Sequence, residues 1–255
     1  MCAADAAAVV ERLEAGEHPH SPTHLGIPVL FEGLRSNALD VVEALDRAGA
    51  DWSTPYNEGG FTPLIYASLH CALPTVAWLV ERGQPVTQTT PSGVGVLHVA
   101  AQRPDPTVAH FLHDAGADPF AETQQGEIPL LISLKSKGGL AMFRFMLQCY
   151  ADADRTLDEA LMPCLARILD RQDADAVARV RALMPHATHL PSEAEIRAFM
   201  GRPGQAPSLS FRTLEQTLSS RASAAVFALL KAERIARAAP STAMPGSIWR
   251  GEPGL

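Results

Sequence analysis

The stretch GFTPLIYAS, residues 60–68, is the clearest copy of a pattern that recurs along this chain of 255 residues. Its variants are GVGVLHVAA at residues 93–101 and GEIPLLISL at residues 126–134. The middle position of the pattern recurs at spacings of 35, 33, 33 and 34 residues, at Pro28, Pro63, Val96, Pro129 and Pro163. A fixed period of this size predicts an array of stacked structural units.

A second, independent marker keeps the same period. It is a short motif that begins with glycine in four of its five copies, and it recurs at spacings of 33, 34, 33 and 34 residues, at Gly16, Gly49, Gly83, Gly116 and Tyr150. With this period and a core related to T-P-L-H-x-A, the chain resembles the ankyrin repeat family over residues 5–187, most clearly over 60–118. The resemblance implies an all-α fold, namely a helix-pair solenoid with short β-hairpin or loop fingers and a C-terminal helical cap.

We expect the chain to divide into three segments. Residues 1–187 form the repeat array, with a half-repeat cap at 5–17, about four recognisable repeats and a degenerate fifth. Residues 188–238 form a C-terminal helical cap region, and residues 239–255 form a Pro- and Gly-rich tail without regular structure.

Each repeat is predicted to contain two helices, an inner helix followed by an outer helix. The proline of the inner helix suits a first helical turn, where its missing N–H costs nothing. Apolar residues three and four apart give the outer helices a buried stripe, at Val41, Val42, Leu45, Val76, Leu79, Val108, Leu112, Phe143 and Met146. The glycine after each outer helix is expected to be a left-handed C-cap, and Tyr150 in its place predicts either strain or a changed turn.

Three further helices are predicted in the cap region. Ser192 is the expected N-cap of the first, and Glu195 completes a capping box with it. The other two helices are expected near residues 210–220 and 222–238.

Composition excludes several classes of function. The net charge is −7, and residues 1–200 carry 14 basic and 25 acidic groups, or −11, which disfavours nucleic acid and anionic membranes as partners. The four cysteines form no CxxC pair, and no apolar run approaches 18 residues. The start of the chain also lacks a basic region, so we expect a soluble cytoplasmic protein without a cleaved signal.

Residues that could carry chemistry are few. The sequence contains no phosphate-binding loop, nucleophile elbow, zinc-protease or dinucleotide motif, so we expect no catalytic residue, no metal site and no cofactor. The histidines at positions 18, 20 and 24 leave a metal site open as a minor alternative. Cys71 and Cys164 are expected to be buried core residues. By the resemblance, His98 ties its inner helix to an adjacent hairpin.

Function is expected on the concave surface that inner helices and hairpin tips form in such an array. The position after the T-P-L-H core faces this groove and is apolar or aromatic in four repeats, at Phe31, Tyr66, Val99 and Ile132. The other candidate contacts lie one helical turn later and at a hairpin tip, at Arg35, Tyr56, Leu69, His70, Gln102, Arg103 and Lys135. An apolar row edged by Arg and Lys is typical of protein-binding hot spots. The alternative is that these side chains merely cover the inner-helix layer.

These patterns predict a module that binds another protein through the groove and is a monomer when free. The acidic repeat region favours a basic partner, such as a toxin or an enzyme. A bacterial immunity or inhibitor protein that neutralises a toxin is the specific case, by analogy at the level of the fold. The alternatives are a secreted effector that engages host proteins, and an enzyme with its site in residues 188–255, where His189 is the only plausible base.

Overall fold

The protein is an all-α protein. A computed structural model describes residues 3–23, 26–135, 139–171, 174–201 and 217–238, and these residues contain helices and no strand. The described helices, numbered in chain order, are α1 Ala3–Glu14, α2 Val29–Ser36, α3 Leu39–Arg47, α4 Pro63–His70, α5 Leu73–Glu81, α6 Val96–Ala100, α7 Thr107–Asp114, α8 Pro129–Lys135, α9 Leu140–Asp152, α10 Asp158–Arg171, α11 Ala176–Leu183, α12 Glu193–Met200 and α13 Arg221–Ala238. The predicted all-α class is therefore confirmed.

Helices α2 to α11 form five consecutive pairs that pack on their neighbours. The inner helices contact one another in order, α2 on α4, α4 on α6, α6 on α8 and α8 on α10. Among the outer helices, α3 packs on α5, α5 on α7 and α9 on α11. Helix α1 covers α2 and α3 at one end, and α12 and α13 contact α10 at the other. The predicted outer-helix stripe is buried at every position, so each pair is stabilised mainly by apolar contact with its neighbours.

Left-handed glycines end the regular outer helices, as predicted. Gly49, Gly83 and Gly116 have φ values of 81°, 85° and 97°, which a residue with a side chain rarely adopts. At the third of them the Gly116 N–H donates to the His113 carbonyl and the next N–H donates to the Leu112 carbonyl, both at 2.9 Å. These two bonds satisfy carbonyls that the helix end leaves open.

The fourth outer helix ends one turn late. Tyr150 occupies the glycine position, and helix α9 continues to Asp152. The left-handed residue is now Asp154, with φ 50°, and the same two bonds form four residues later, from Asp154 to the Ala151 carbonyl and from Arg155 to the Tyr150 carbonyl. Of the two predicted outcomes, the changed turn is the one found.

Four glycine turns join the units, and we call them the fingers: residues 22–28, 56–61, 89–95 and 122–128. In the third finger Thr90 donates to the Val94 carbonyl at 2.9 Å and Gly93 donates to the Thr90 carbonyl at 2.9 Å. The predicted β-hairpins are limited to single antiparallel bridges, Pro22 with Pro28 and Thr89 with Gly95, within the described residues. Too few residues separate each turn from the next helix to extend a ladder.

The fifth unit departs from the pattern in two ways. Only residues 155–157 separate the left-handed Asp154 from helix α10, so the chain has no room for a finger there. The register also predicts a first-turn proline at Pro163, whereas the structure places Pro163 inside helix α10. This expectation was wrong because α10 begins five residues earlier, at Asp158, where the missing finger lets the helix start.

The C-terminal segment caps the array. The capping box is confirmed, since the Ser192 hydroxyl accepts from the Glu195 N–H and the Glu195 carboxylate accepts from the Ser192 N–H. The predicted helix at 222–238 is found as α13, whose Arg237 donates to the carbonyls of Met184 and Ala187. Most of the helix predicted near 210–220 and the whole tail at 239–255 lie outside the described residues. None of the helices in the described ranges is both long and apolar enough to cross a membrane.

Candidate functional site

The predicted row on the inner helices is only half accessible. Tyr66 on α4 and Ile132 on α8 are partly buried, as surface contacts should be. Phe31 is 0% exposed and Val99 is 1% exposed, so the expectation that they face an open groove is wrong. Phe31 is covered by the rings of Tyr56 and Tyr66, and Val99 is a short side chain on the helix between those of Tyr66 and Ile132.

The remaining predicted contacts surround this row. Arg35, His70 and Gln102 are exposed. Tyr56, Leu69 and Arg103 are partly buried. The backbone of Lys135 ends helix α8, and its side chain lies outside the described part of the structure.

The structure brings four of these residues together, and we call Tyr56, Tyr66, His70 and Arg35 the aromatic patch. The Tyr56 and Tyr66 ring centroids are 5.7 Å apart, and the rings of Tyr66 and His70 are 4.7 Å apart. Both tyrosines meet the edge or face of Phe31 beneath them, at 4.9 and 5.2 Å. These separations are those of favourable aromatic pairs, so the rings hold one another in place.

The tyrosine hydroxyls of the patch have no partner within the described residues. Partial burial raises the pKa of Tyr66 to about 12, because the phenolate would lose water, so the hydroxyl is neutral at ordinary pH. A neutral, partly buried tyrosine hydroxyl both donates and accepts hydrogen bonds. The patch therefore offers two unused hydrogen-bonding groups on an otherwise apolar surface.

Two guanidinium groups lie near His70 in the patch. Burial lowers the pKa of His70, and the nearby guanidinium groups of Arg35 and Arg103 lower it further. His70 is therefore neutral at pH 7, while Arg35 and Arg103 keep their charges.

Arg103 has a structural role that the sequence did not reveal. Its guanidinium donates to the Cys71 carbonyl at 2.6 Å and lies 3.4 Å from the carbonyls of Ser68 and Leu69. These carbonyls end helix α4, where a cation interacts favourably with the helix dipole. Arg103 thus joins the third unit to the second, and replacing it would perturb folding as well as any contact with a partner.

The candidate chemical groups are placed in structural roles. Cys71 and Cys164 are fully buried, and burial raises the pKa of each thiol to about 12, which leaves them unreactive. His98 accepts from the Gly95 N–H through Nδ1 at 3.0 Å, and its Nε2 lies 3.1 Å from the Glu127 carbonyl. The predicted tie between this inner helix and the next finger is confirmed.

The histidines considered for metal or base chemistry are also placed by the structure. His20 accepts from the Asp51 N–H at 2.9 Å, and His18 accepts from the His20 N–H, while His24 lies outside the described residues. No group of three or more His, Cys, Asp or Glu in the described ranges could hold a metal ion. His189 is 3.9 Å from Glu195 on the surface, with its side chain 72% exposed.

A cleft beside the fourth finger was not anticipated. It has a volume of about 580 Å³ and is lined by Phe120, Glu122, Tyr150, Arg155 and Glu159 among other residues. The signal for it was present in the sequence, since Tyr150 replaces a glycine and the link between α9 and α10 is short. Two missing features, the glycine and the finger, together open this space.

No protein-family model matches the chain, and no curated protein matches it. What the arrangement can do is therefore inferred from its own surfaces, the aromatic patch on the inner helices and the cleft beside the fourth finger.

Proposed function

We propose that this chain is an ankyrin-type repeat protein that binds another protein through the aromatic patch. Stacked helix pairs, a glycine turn between units and a 33-residue period support the repeat assignment. The observation that carries the function is the patch itself, where Tyr56 and Tyr66 stand together with unused hydroxyls beside the exposed Arg35.

The composition of the patch favours protein binding over a packing role alone. Tyrosine and arginine are enriched at binding hot spots because they give a large contact area and polar atoms on one side chain. The two tyrosines are already fixed by Phe31 and by each other, so little conformational entropy would be lost on binding. Buried Phe31 makes the patch rigid without itself touching the partner.

The charges at the patch define what the partner places against it. Arg35 and Arg103 are cationic, which favours a carboxylate or the face of an aromatic ring of the partner at this point. The prediction of a basic partner came from the whole repeat region, and it stays a prediction for the partner's overall charge. At the patch we propose an acidic or aromatic contact.

A matched pair of charge reversals tests the function. Arg35 and Arg47 are both exposed arginines of the first unit, but Arg47 lies on the outer helix α3. A partner recovered from the cells that make the protein and then purified should bind Arg35→Glu at least tenfold more weakly than the unaltered chain. Arg47→Glu should bind as the unaltered chain does. Equal binding by both variants, measured by calorimetry, would remove the patch from the interface.

Truncating Tyr66 gives a second test of binding through the aromatic patch. Tyr66→Ala should weaken the complex by about thirtyfold, because loss of a hot-spot residue costs about 2 kcal/mol. Because Tyr66→Ala exposes Phe31, circular dichroism and a thermal melt are used to check that the variant remains folded. The hypothesis of an immunity protein stays a prediction, which relief of a partner's toxicity on co-expression would test.

A further inference from the structure

The cleft beside the fourth finger exists because the fingers stop there. A Cβ added to Gly60 would clash with Cδ of Pro91 on the next finger, and one added to Gly93 would lie 3.0 Å from Cα of Thr123. Each of these glycines is therefore covered by the finger that follows it. The corresponding Gly126, which no finger follows, has nothing within 4 Å of such a Cβ, and the same holds for Gly26 in the first finger. The uncovered face of Gly126 opens onto the cleft.

The floor of the cleft is aromatic and its rim is acidic. Phe120 and Tyr150 meet edge to face with ring centroids 4.9 Å apart. Glu122 and Glu159 stand beside them, both exposed. Neither carboxylate forms a hydrogen bond or an ion pair with any residue in the described ranges. The combination of aromatic faces and uncompensated negative charge favours a cation.

Tyr150 supplies an unpartnered polar group to the same cleft. The residue is only 7% exposed, and its hydroxyl bonds to no residue of the described chain. Burial raises the pKa of Tyr150 to about 12, and the charges of Glu122 and Glu159 act on it in the same direction. The hydroxyl oxygen itself is not among the buried polar atoms that lack a partner, so it stays accessible to a ligand or water.

The cleft already holds one guanidinium of its own. The Arg155 guanidinium carbon lies 4.4 Å from the centroid of the Phe120 ring, within the range of a cation–π contact. Arg155 is exposed, and its guanidinium accounts for one positive charge beside two carboxylates. The site is therefore suited to this chemical group and still carries negative charge when Arg155 is in place.

We propose that this cleft binds an arginine side chain of an extended segment of another protein, with the guanidinium between the carboxylates of Glu122 and Glu159. The Tyr150 hydroxyl accepts one of its N–H groups, and Phe120 is the aromatic face that Arg155 then vacates. The acidic balance of residues 1–200 adds long-range attraction for a basic segment. The cleft shares no residue with the aromatic patch, so each of the two sites can be tested with its own ligand.

Short peptides test the proposal without a known partner. The probe is acetyl-Gly-Gly-Arg-Gly-Gly-amide, compared with the same peptide containing citrulline, which keeps the shape but lacks the charge. The arginine peptide should shift amide NMR signals of residues 120–131 and 150–159 in a saturable way, and the citrulline peptide should bind at least fivefold more weakly. Equal shifts from both peptides, or none from the arginine peptide, would overturn the proposal.

Substitutions of cleft residues, measured by the same peptide titration, test which groups bind the arginine side chain. Tyr150→Phe removes only the hydroxyl and should weaken the arginine peptide about tenfold, the ordinary effect of one hydrogen bond to a charged group. Glu122→Gln with Glu159→Gln should weaken it at least tenfold, whereas Glu81→Gln on the outer helix α5 should leave it unchanged.

The Arg155→Ala variant tests whether Arg155 competes with the peptide or supports its binding. It removes the resident guanidinium and should strengthen peptide binding about threefold, because the face of Phe120 becomes free and a like charge is lost. Weaker binding by Arg155→Ala would show that Arg155 supports the cleft rather than occupying it, and would overturn the proposal. Failure here leaves the experiment on Arg35 and Arg47 unaffected.

Discussion

The third, fourth and fifth units are built from the same repeat, yet the junction between the third and fourth units differs from the junction between the fourth and fifth. Between the third and fourth units, Gln124 donates from its backbone to Ser92 and from its side chain to Pro91, both at 2.9 Å. Between the fourth and fifth units no finger is present, and side chains make the contact, with Arg167 bonded to Glu127 and Arg171 to the Leu134 carbonyl.

The difference shows how much structure one glycine controls. With glycine at position 116 the outer helix ends at once and the chain has twelve residues in which to form a finger before Pro129. With tyrosine at position 150 the helix continues for another turn, and those residues are no longer available for a finger. The same change that removes a contact between units creates a cleft with an unpaired hydroxyl.

The largest expected effect is a difference in stability between two glycine substitutions, one at a glycine that the next finger covers and one at a glycine that no finger covers. Gly93→Ala should lower the free energy of unfolding by about 3 kcal/mol, from about 1 kcal/mol for the left-handed backbone and about 2 kcal/mol for displacing the next finger. Gly126→Ala has the same backbone cost but open space around the new methyl group, so we expect a loss of about 1 kcal/mol. Urea unfolding measures both, and equal losses would mean that the fingers do not support one another.

A smaller effect concerns the histidine that reaches the next finger. His98→Leu gives the third unit the residue that the fourth has at Leu131, and it leaves the Gly95 N–H and the Glu127 carbonyl without their partner. The free energy of unfolding should fall by about 2 kcal/mol at pH 7.5, since buried unsatisfied groups cost about 1–3 kcal/mol.

The same variant predicts a change in pH dependence. Burial lowers the pKa of His98 below its ordinary value of 6.5, so the unfolded chain binds more protons than the folded one as the pH falls below 6.5. Stability should therefore decline below pH 6.5 in the unaltered protein, until the folded-state pKa is passed. The stability of His98→Leu should decline less steeply as the pH falls. His70, whose pKa is also lowered, gives the stability of both proteins a pH dependence of the same sign. Parallel slopes would assign the pH dependence to other groups.

The smallest expected effect concerns the left-handed residues that follow the third and fourth outer helices, Gly116 and Asp154. Asp154→Gly places a glycine at the left-handed position of the fourth unit and should stabilise the protein by about 0.5 kcal/mol, because the relief of strain exceeds the added entropy of the unfolded chain. Gly116→Asp makes the reverse change in a regular unit and should destabilise by about 1 kcal/mol. Thermal melts compare the pair, and destabilisation by Asp154→Gly would indicate that the Asp154 side chain has a role at this turn.

The role of His98 was implied by the family resemblance and the Ser192 capping box was predicted from its local motif, while sequence periodicity predicted the helix pairs and the glycine caps. These features depend on local chemistry, namely helical spacing, backbone conformation and short-range hydrogen bonds. It did not predict the burial of Phe31, because the register tells which face a residue is on and not that Tyr56 from the following finger covers it. Nor did it reveal that Arg103 ends helix α4 rather than standing free, since that contact joins residues about 32 positions apart.

The row of fingers is open at its C-terminal end, since it stops at residue 128 while the helices continue through α10 and α11. Within the described residues, a chain lying along the fingers would therefore reach the cleft, and not a fifth finger, after the fourth one.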